Sequence, residues 1–245
     1  MAVRPYSGFR RIAMLSGPRN ISTTMMRAFE SRPDTAVVDE PFYASYLEAS
    51  GALHPMRKQI IAAQSSDWKQ VLEQLNEHKN KQYQYTFEKH IAFHFSYAPQ
   101  KLNWPENALV FQLIREPRAT IASYHDKYED VTPIIDSYKI QREIFENTNA
   151  PILDSTEILK SPKRALVILC DALNIPFFDE MLAWKQGPHE SDGPWASHWY
   201  KAVWESSGFR EYKKKPINLT SDLENVVKKC TPDYEILYHS RLKVD

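Results

Sequence analysis

Residues 11–27 read RIAMLSGPRNISTTMMR, and the way this stretch divides decides the fold. Ile12, Ala13, Met14 and Leu15 form a short apolar run with the length and flanks of a buried parallel strand. Ser16, Gly17, Pro18, Arg19 and Asn20 are turn formers that end it. Ser22, Thr23 and Thr24 then open a helix in which Met25, Met26 and Phe29 recur at helical spacing. The stretch therefore predicts a strand, a tight loop and a hydroxyl-capped helix. The first turn of such a helix offers unpaired N–H groups and a partial positive charge, a seat for phosphate or sulfate. Hydroxyl-rich loops also serve simply to cap helices, and both uses fit these residues.

Counted from Gly17, the spacing is that of the Walker pattern GxxxxGK(S/T), with Ser22 at the second Gly, Thr23 at the Lys and Thr24 at the Ser/Thr. The missing lysine removes the point charge that a nucleoside triphosphate needs, while Arg19 puts a guanidinium inside the loop. The expected fold class is α/β: a three-layer P-loop-like fold with a central parallel sheet flanked by helices and a helical insertion.

Composition narrows the setting. A chain of 245 residues, 42% hydrophobic, is long enough for one α/β domain over 1–245, with an insertion at about 43–81 and a divergent C-terminal part at about 184–245. Basic and acidic residues balance at 31 each, which argues against a broad nucleic-acid footprint. No apolar run approaches 18 residues and no basic leader precedes one, so the expectation is a cytoplasmic protein without a membrane partner. Cys170 and Cys230 lie far apart and read as reduced thiols, Cys170 in the core. No His/Cys cluster has ligand spacing, so no metal is expected.

Along the chain, residues 35–38 form a second β-rich run ending in Asp39-Glu40-Pro41-Phe42. Parallel strands gather their carboxyl ends on one edge, so Asp39 and Glu40 should lie near the Arg19 loop, where one could be a base; equally, an acidic pair can cap the next helix. Met56, Ile60, Ile61, Trp68, Val71, Leu72 and Leu75 follow at helix-like intervals, an insertion beside the cleft. Tyr83, Tyr85 and Phe87 alternate with polar residues and lead into EKHIAFH, 88–94, a third strand followed by a site loop. ALVFQLI, 108–114, suits a central strand with Arg115 at its tip and a helix from about Pro117 that carries Ser123. A helix at 132–147, a short strand at 151–154 and a helix through Leu173 complete the α/β pattern. Trp195, Trp199, Tyr200 and Trp204 are spaced to pack on the core or to form an acceptor or adenine wall, and Lys213, Lys214 and Lys215 are either a solvated run or a phosphate-neutralising one.

Two segments carry a family resemblance. Residues 18–24, PRNISTT, resemble the 5′-phosphosulfate loop of sulfotransferases, P-K/R-S-G-S/T-T, with Asn20 and Ile21 in place of Ser-Gly. Residues 115–124, REPRATIASY, resemble the 3′-phosphate segment of the same family, and the likeness extends over about 11–178. The resemblance implies a donor, 3′-phosphoadenosine-5′-phosphosulfate (PAPS), used without metal. Arg19, Asn20, Ile21, Ser22, Thr23 and Thr24 would bind its 5′ end, and Arg115 and Ser123 its 3′-phosphate. Glu40-Pro41 matches a Glu-Pro whose glutamate is the general base in some bacterial sulfotransferases. Lys89 matches the lysine of a Lys-Thr-His motif whose lysine and histidine both serve catalysis, which implies a catalytic Lys89, but Ile91 stands where the histidine belongs, and His90 and His94 flank it as substitutes. The family's Gly-rich C-terminal lid is replaced by Gly193-Pro194-Trp195-Ala196-Ser197-His198-Trp199-Tyr200. The implied reaction is in-line sulfuryl transfer to a hydroxyl or amine of a small-molecule or glycan acceptor. Its rivals are a P-loop small-molecule kinase using ATP and magnesium, and a nucleotide-binding protein that has lost transfer.

Overall fold

Strand β1 (Arg10–Ser16) sends alternate side chains to opposite sides of a sheet, and each side is covered by helices. The computed structural model describes residues 9–77, 82–99, 103, 108–214 and 216–244. Among these, β1 is joined by β2 (Thr35–Asp39), β3 (Tyr85–Ile91), β4 (Ala108–Ile114) and β5 (Ile152–Asp154), all parallel, in the order β2-β3-β1-β4-β5. The helices are α1 (Ser22–Glu30), α2 (Tyr43–Ser50), α3 (Arg57–Ala63), α4 (Trp68–Asn76), α5 (Pro117–His125) and α6 (Pro133–Thr148). They continue as α7 (Ser155–Lys160), α8 (Pro162–Ala172), α9 (Ala196–Trp199), α10 (Lys201–Trp204) and α11 (Ser221–His239).

Ile12 and Met14 pack with Met25 and Phe29 of α1 and Leu166 and Leu169 of α8. Ala13 and Leu15 pack on the other side with Val71 and Leu75 of α4 and Ile140 and Ile144 of α6. The three expected layers are thus present. The insertion is not a separate subdomain: Tyr43, Ala44, Leu47 and Ile60 of α2 and α3 join one face of the core while α4 covers the other. Its far end, 78–81, lies outside the described residues.

The strand order puts β2 and β3 on one side of β1 and β4 and β5 on the other. The chain therefore reverses its direction of travel at β1, and a crevice opens beyond that strand's carboxyl end, where ligands bind in such sheets. The 17–21 loop stands at this point. Beyond the sheet, α11 packs through Leu223, Val226 and Cys230 on Ile121, Ile134 and Tyr138 of α5 and α6. Cys170 and Cys230 are both buried and free. Lys213 and Lys214 are exposed, and Lys215 lies outside the described residues. Among the described residues no helix is long and apolar enough to cross a membrane.

Phe29 stacks on Phe87 at 4.4 Å and on Phe111 at 5.8 Å, joining α1 to two strands. Phe29→Ala is expected to cost about 3–5 kcal/mol in urea unfolding, the range for an aromatic removed from a packed core. A loss below about 1 kcal/mol would contradict this packing.

Candidate active site

Helix α1 begins at Ser22, and its N-cap is Ile21, whose φ of 58° is left-handed; no side chain caps the helix. The hydroxyl-capped start is therefore corrected: Ser22, Thr23 and Thr24 occupy the first turn itself. The first helical bond runs from Met25 N–H to the Ile21 carbonyl at 3.0 Å, so the N–H groups of residues 22–24 precede the ladder. Arg19 is also left-handed, at φ 60°. Two such non-glycine residues store about 1–3 kcal/mol of strain each, and neighbouring contacts must hold them.

Asn20 does the holding. It has no exposed surface; its Nδ2 donates to the Leu113 carbonyl at 3.3 Å, and its Oδ1 accepts from Thr120 Oγ1 at 3.3 Å. Its side chain faces the sheet and does not line the cavity. Asn20 is thus corrected from a ligand to an anchor of the loop.

The 5′-end and 3′-end residues expected from the sequence meet. Arg19 Nε donates to Ser123 Oγ at 3.2 Å, and an Arg115 terminal nitrogen donates to the Arg19 carbonyl at 2.8 Å. Burial lowers the pKa of both guanidiniums, and for Arg19 the Arg115 charge lowers it further. Two partly desolvated cations held side by side favour an anion between them and the α1 N-terminus. Tyr138 fixes the β4 tip by donating to the Arg115 carbonyl at 2.6 Å.

The second group centres on Lys89. Asp39 and Lys89 are register partners in the β2–β3 ladder, and Lys89 Nζ lies 2.7 Å from Asp39 Oδ1 and 2.8 Å from Glu40 Oε1. It also touches Tyr200 Oη and reaches Thr23 Oγ1 at 3.4 Å. Tyr200, from the segment after α9, bonds Asp39 Oδ2 at 2.7 Å and accepts from Trp195 Nε1 at 2.9 Å. Glu40 has φ 41°, a left-handed turn that leaves β2 and brings its carboxylate to the cavity. Burial raises the Glu40 pKa, opposed by Lys89. Burial would discharge Lys89, but Asp39 and Glu40 overcome it and raise its pKa.

The two histidines part company. His94 follows β3 in a 3₁₀ turn (Ala92–Phe95), lines the cavity with Nε2 3.9 Å from Glu40 Oε2, and stacks on Tyr43 at 4.4 Å. Burial lowers its pKa well below the usual value, so it is neutral at pH 7. His90 is one residue from Lys89 on a strand and so points to the opposite face, where its Nε2 meets Glu88 Oε2 at 3.0 Å. It does not line the cavity, and its candidacy as a base is withdrawn.

One cavity of about 300 Å³ joins these groups. Arg19, Ser22, Thr24, Arg115, Ser123 and Arg210 line one part of it, and Glu40, Tyr43, His54, His94, Tyr124 and Trp199 another. His54, Tyr124 and Arg210 were not expected, since tertiary contacts alone bring them here, whereas Trp199 and Tyr200 come from the aromatic run singled out in the sequence. Among the described residues no cluster of three His, Cys, Asp or Glu side chains could hold a metal.

The family model described as "Sulfotransferase domain" matches residues 10–240. Two Arabidopsis thaliana proteins, Branched-chain-amino-acid aminotransferase-like proteins 1 and 2, are 34% and 31% identical to this chain over 91% of it but 40% of their own lengths. The chain thus spans about two fifths of the length of these curated relatives. Its fold is similar to that of the sulfotransferase domain from the curacin biosynthetic pathway, with a TM-score of 0.56, 14% identity, and coverage of 92% of this chain and 99% of that one. It is also similar to a sulfotransferase from Alicyclobacillus acidocaldarius, with a TM-score of 0.56, 11% identity, and coverage of 96% and 97%.

Tyr200 also bonds Glu40 Oε1, at 3.3 Å, and this contact favours the ionised carboxylate. Tyr200→Phe removes it, so the Glu40 titration should move upward, followed by ¹³C NMR of the side-chain carboxyl. An unchanged or lower midpoint would show that Tyr200 does not tune Glu40.

Proposed function

The chain belongs to the sulfotransferase family, and on that premise we propose that it moves a sulfuryl group from PAPS to an acceptor hydroxyl or amine, with Glu40 as general base. The observation that carries this reading is one cavity lined both by Arg19, Arg115 and Ser123 beside the α1 N-terminus and by the buried Glu40 carboxylate. Arg19, with the N–H groups and hydroxyls of Ser22, Thr23 and Thr24, would hold the 5′ end of the donor. Arg115 and Ser123 would take the 3′-phosphate. The donor supplies an electrophilic sulfur whose transfer passes through a loose, planar SO₃-like state, by analogy with phosphoryl transfer.

The residues of the chain then have separate tasks. The donors on α1 and Arg19 stabilise charge that develops on the leaving phosphate and the transferring oxygens. Glu40 takes the acceptor proton as the new oxygen–sulfur bond forms and the sulfur–phosphate oxygen bond breaks. Its Oε1 is held by Lys89 and Tyr200, which leaves Oε2, beside His94, for the acceptor. Lys89 sits behind the cavity wall, where it orients the two carboxylates and reaches the seat only through Thr23. The curated relatives carry an aminotransferase-like name; Lys89 is engaged by two carboxylates, and we assign no amino transfer to this chain.

Calorimetry in EDTA should show 3′-phosphoadenosine-5′-phosphate (PAP) binding without magnesium. Arg115→Ala should weaken PAP by roughly tenfold to a hundredfold and leave ADP unchanged, since a charge-assisted contact contributes about 1.5–3 kcal/mol. Binding of ATP with magnesium in preference to PAP would favour the kinase reading, and binding of neither would remove the donor site. Glu40→Gln should lower acceptor-dependent release of PAP from PAPS by about a hundredfold or more with PAP affinity intact; an unchanged rate would eliminate Glu40 as base.

A further inference from the structure

Around Glu40 the cavity wall is aromatic. Tyr43, His54, Phe93, His94 and Tyr124 line it from buried positions, and Trp199 is the partly exposed member. His54 comes from the 51–56 segment between α2 and α3, and Tyr124 from α5, next to Ser123 of the anion seat. His94 stacks on Tyr43, Trp199 lies parallel to Tyr124 within 12° at 6.1 Å, and Phe93 meets His54 edge-on at 6.0 Å. Such faces suit a flat molecule.

Two polar atoms on this wall are buried and have no hydrogen-bond partner: Tyr124 Oη and His54 Nε2. The residues are 2% and 5% exposed. Buried polar atoms are nearly always satisfied, so two orphans lining one cavity beside the proposed base call for a ligand. The state of the imidazole follows from its other nitrogen. Tyr43 Oη lies 2.9 Å from His54 Nδ1, and burial keeps the phenol protonated. When the phenol donates to Nδ1, the imidazole proton sits on Nε2 and that nitrogen becomes a donor. Burial lowers the His54 pKa to about 4, so the ring is neutral at pH 7. In that tautomer His54 presents a neutral donor, and Tyr124 a hydroxyl that can donate or accept.

Charge selects further. Glu40 is the charged side chain on this part of the wall, and Lys89 behind it is already matched by Asp39 and Glu40. With Arg19 and Arg115 engaged by the donor, as proposed above, an acceptor carrying its own carboxylate or sulfate would face Glu40 without a free cation.

Resting on the sulfotransferase reading, we propose that this end of the cavity takes a small, uncharged, flat alcohol or phenol whose second oxygen is held by His54 Nε2 and Tyr124 Oη while its reacting hydroxyl faces Glu40. The hydroxyl loses its proton to Glu40, its oxygen bonds the sulfur, and the sulfur's bond to the phosphate oxygen breaks, leaving the nucleotide as PAP.

The test is calorimetric titration of three probes, 2,7-dihydroxynaphthalene, 2-naphthol and 7-hydroxy-2-naphthoate, with and without saturating PAP. The dihydroxy probe should bind about tenfold tighter than 2-naphthol, the scale of a hydrogen bond to an otherwise orphaned group, and the naphthoate should bind most weakly. Tyr124→Phe and His54→Asn should each reduce the preference for the second hydroxyl and leave PAP affinity unchanged. His54→Asn keeps a polar atom for Tyr43 while removing Nε2. Tyr124→Phe should also leave the unfolding midpoint unchanged or raise it, because it deletes an unsatisfied hydroxyl. Equal affinity for the two neutral probes, no binding of any probe, preference for the naphthoate, or a lowered midpoint in Tyr124→Phe would overturn the acceptor assignment. Failure of PAP to bind overturns the donor reading alone, since the titrations without nucleotide still report the acceptor end.

Discussion

Lys89 has no exposed surface and stands between the Asp39 and Glu40 carboxylates, with the Tyr200 phenol closing the group. Three ionisable side chains removed from water survive only because each satisfies another, and removal of one leaves an uncompensated buried charge that costs about 3–5 kcal/mol. The group therefore constrains everything that supplies a member. It fixes the register of β2 against β3, draws Tyr200 and Trp195 of the C-terminal part onto the sheet edge, and touches α1 through Thr23. The proposed base is one of its parts, so fold and chemistry depend on the same contacts.

The C-terminal part covers the cleft by a route unlike a Gly-rich lid. Arg27 of α1, almost wholly buried, pairs with Asp192, whose other oxygen accepts from Trp204 Nε1 at 2.9 Å. This clamp fastens the strap at 184–204 to the helix that forms the anion seat. The chain then returns Gly208 and Arg210 to the cavity. Aromatic packing, the Arg27–Asp192 pair and the His189 and Ser191 contacts to Glu30 thus do the covering.

What was legible in the sequence was local. The β1-loop-α1 unit and the β4-Arg115-α5-Ser123 unit each lie within about twenty residues, so strand and helix periods place their side chains directly. Asp39 and Glu40 followed from the rule that ligands gather beyond the carboxyl ends of parallel strands. The choice between His90 and Lys89 was also readable. Tyr85 and Phe87 set a buried face that Lys89 and Ile91 continue, and His90 must point the other way. Asn20 was misread because a short polar residue can bind a ligand or tie down a loop, and only Leu113 and Thr120 across the fold decide which. His54, Tyr124 and Arg210 arrive from separate elements, and no short-range pattern marks them.

The central claim is that a nucleotide with phosphates at both ends bridges α1 and α5, with its reactive end toward Glu40. A crystal structure of the chain with PAP measures this directly. The account predicts the 5′-phosphate within hydrogen-bond distance of Arg19 and the N–H groups of residues 22–24, and the 3′-phosphate on Arg115 and Ser123. A nucleotide bound away from this cavity, or one with its 3′-phosphate on the α1 N-terminus, would contradict it.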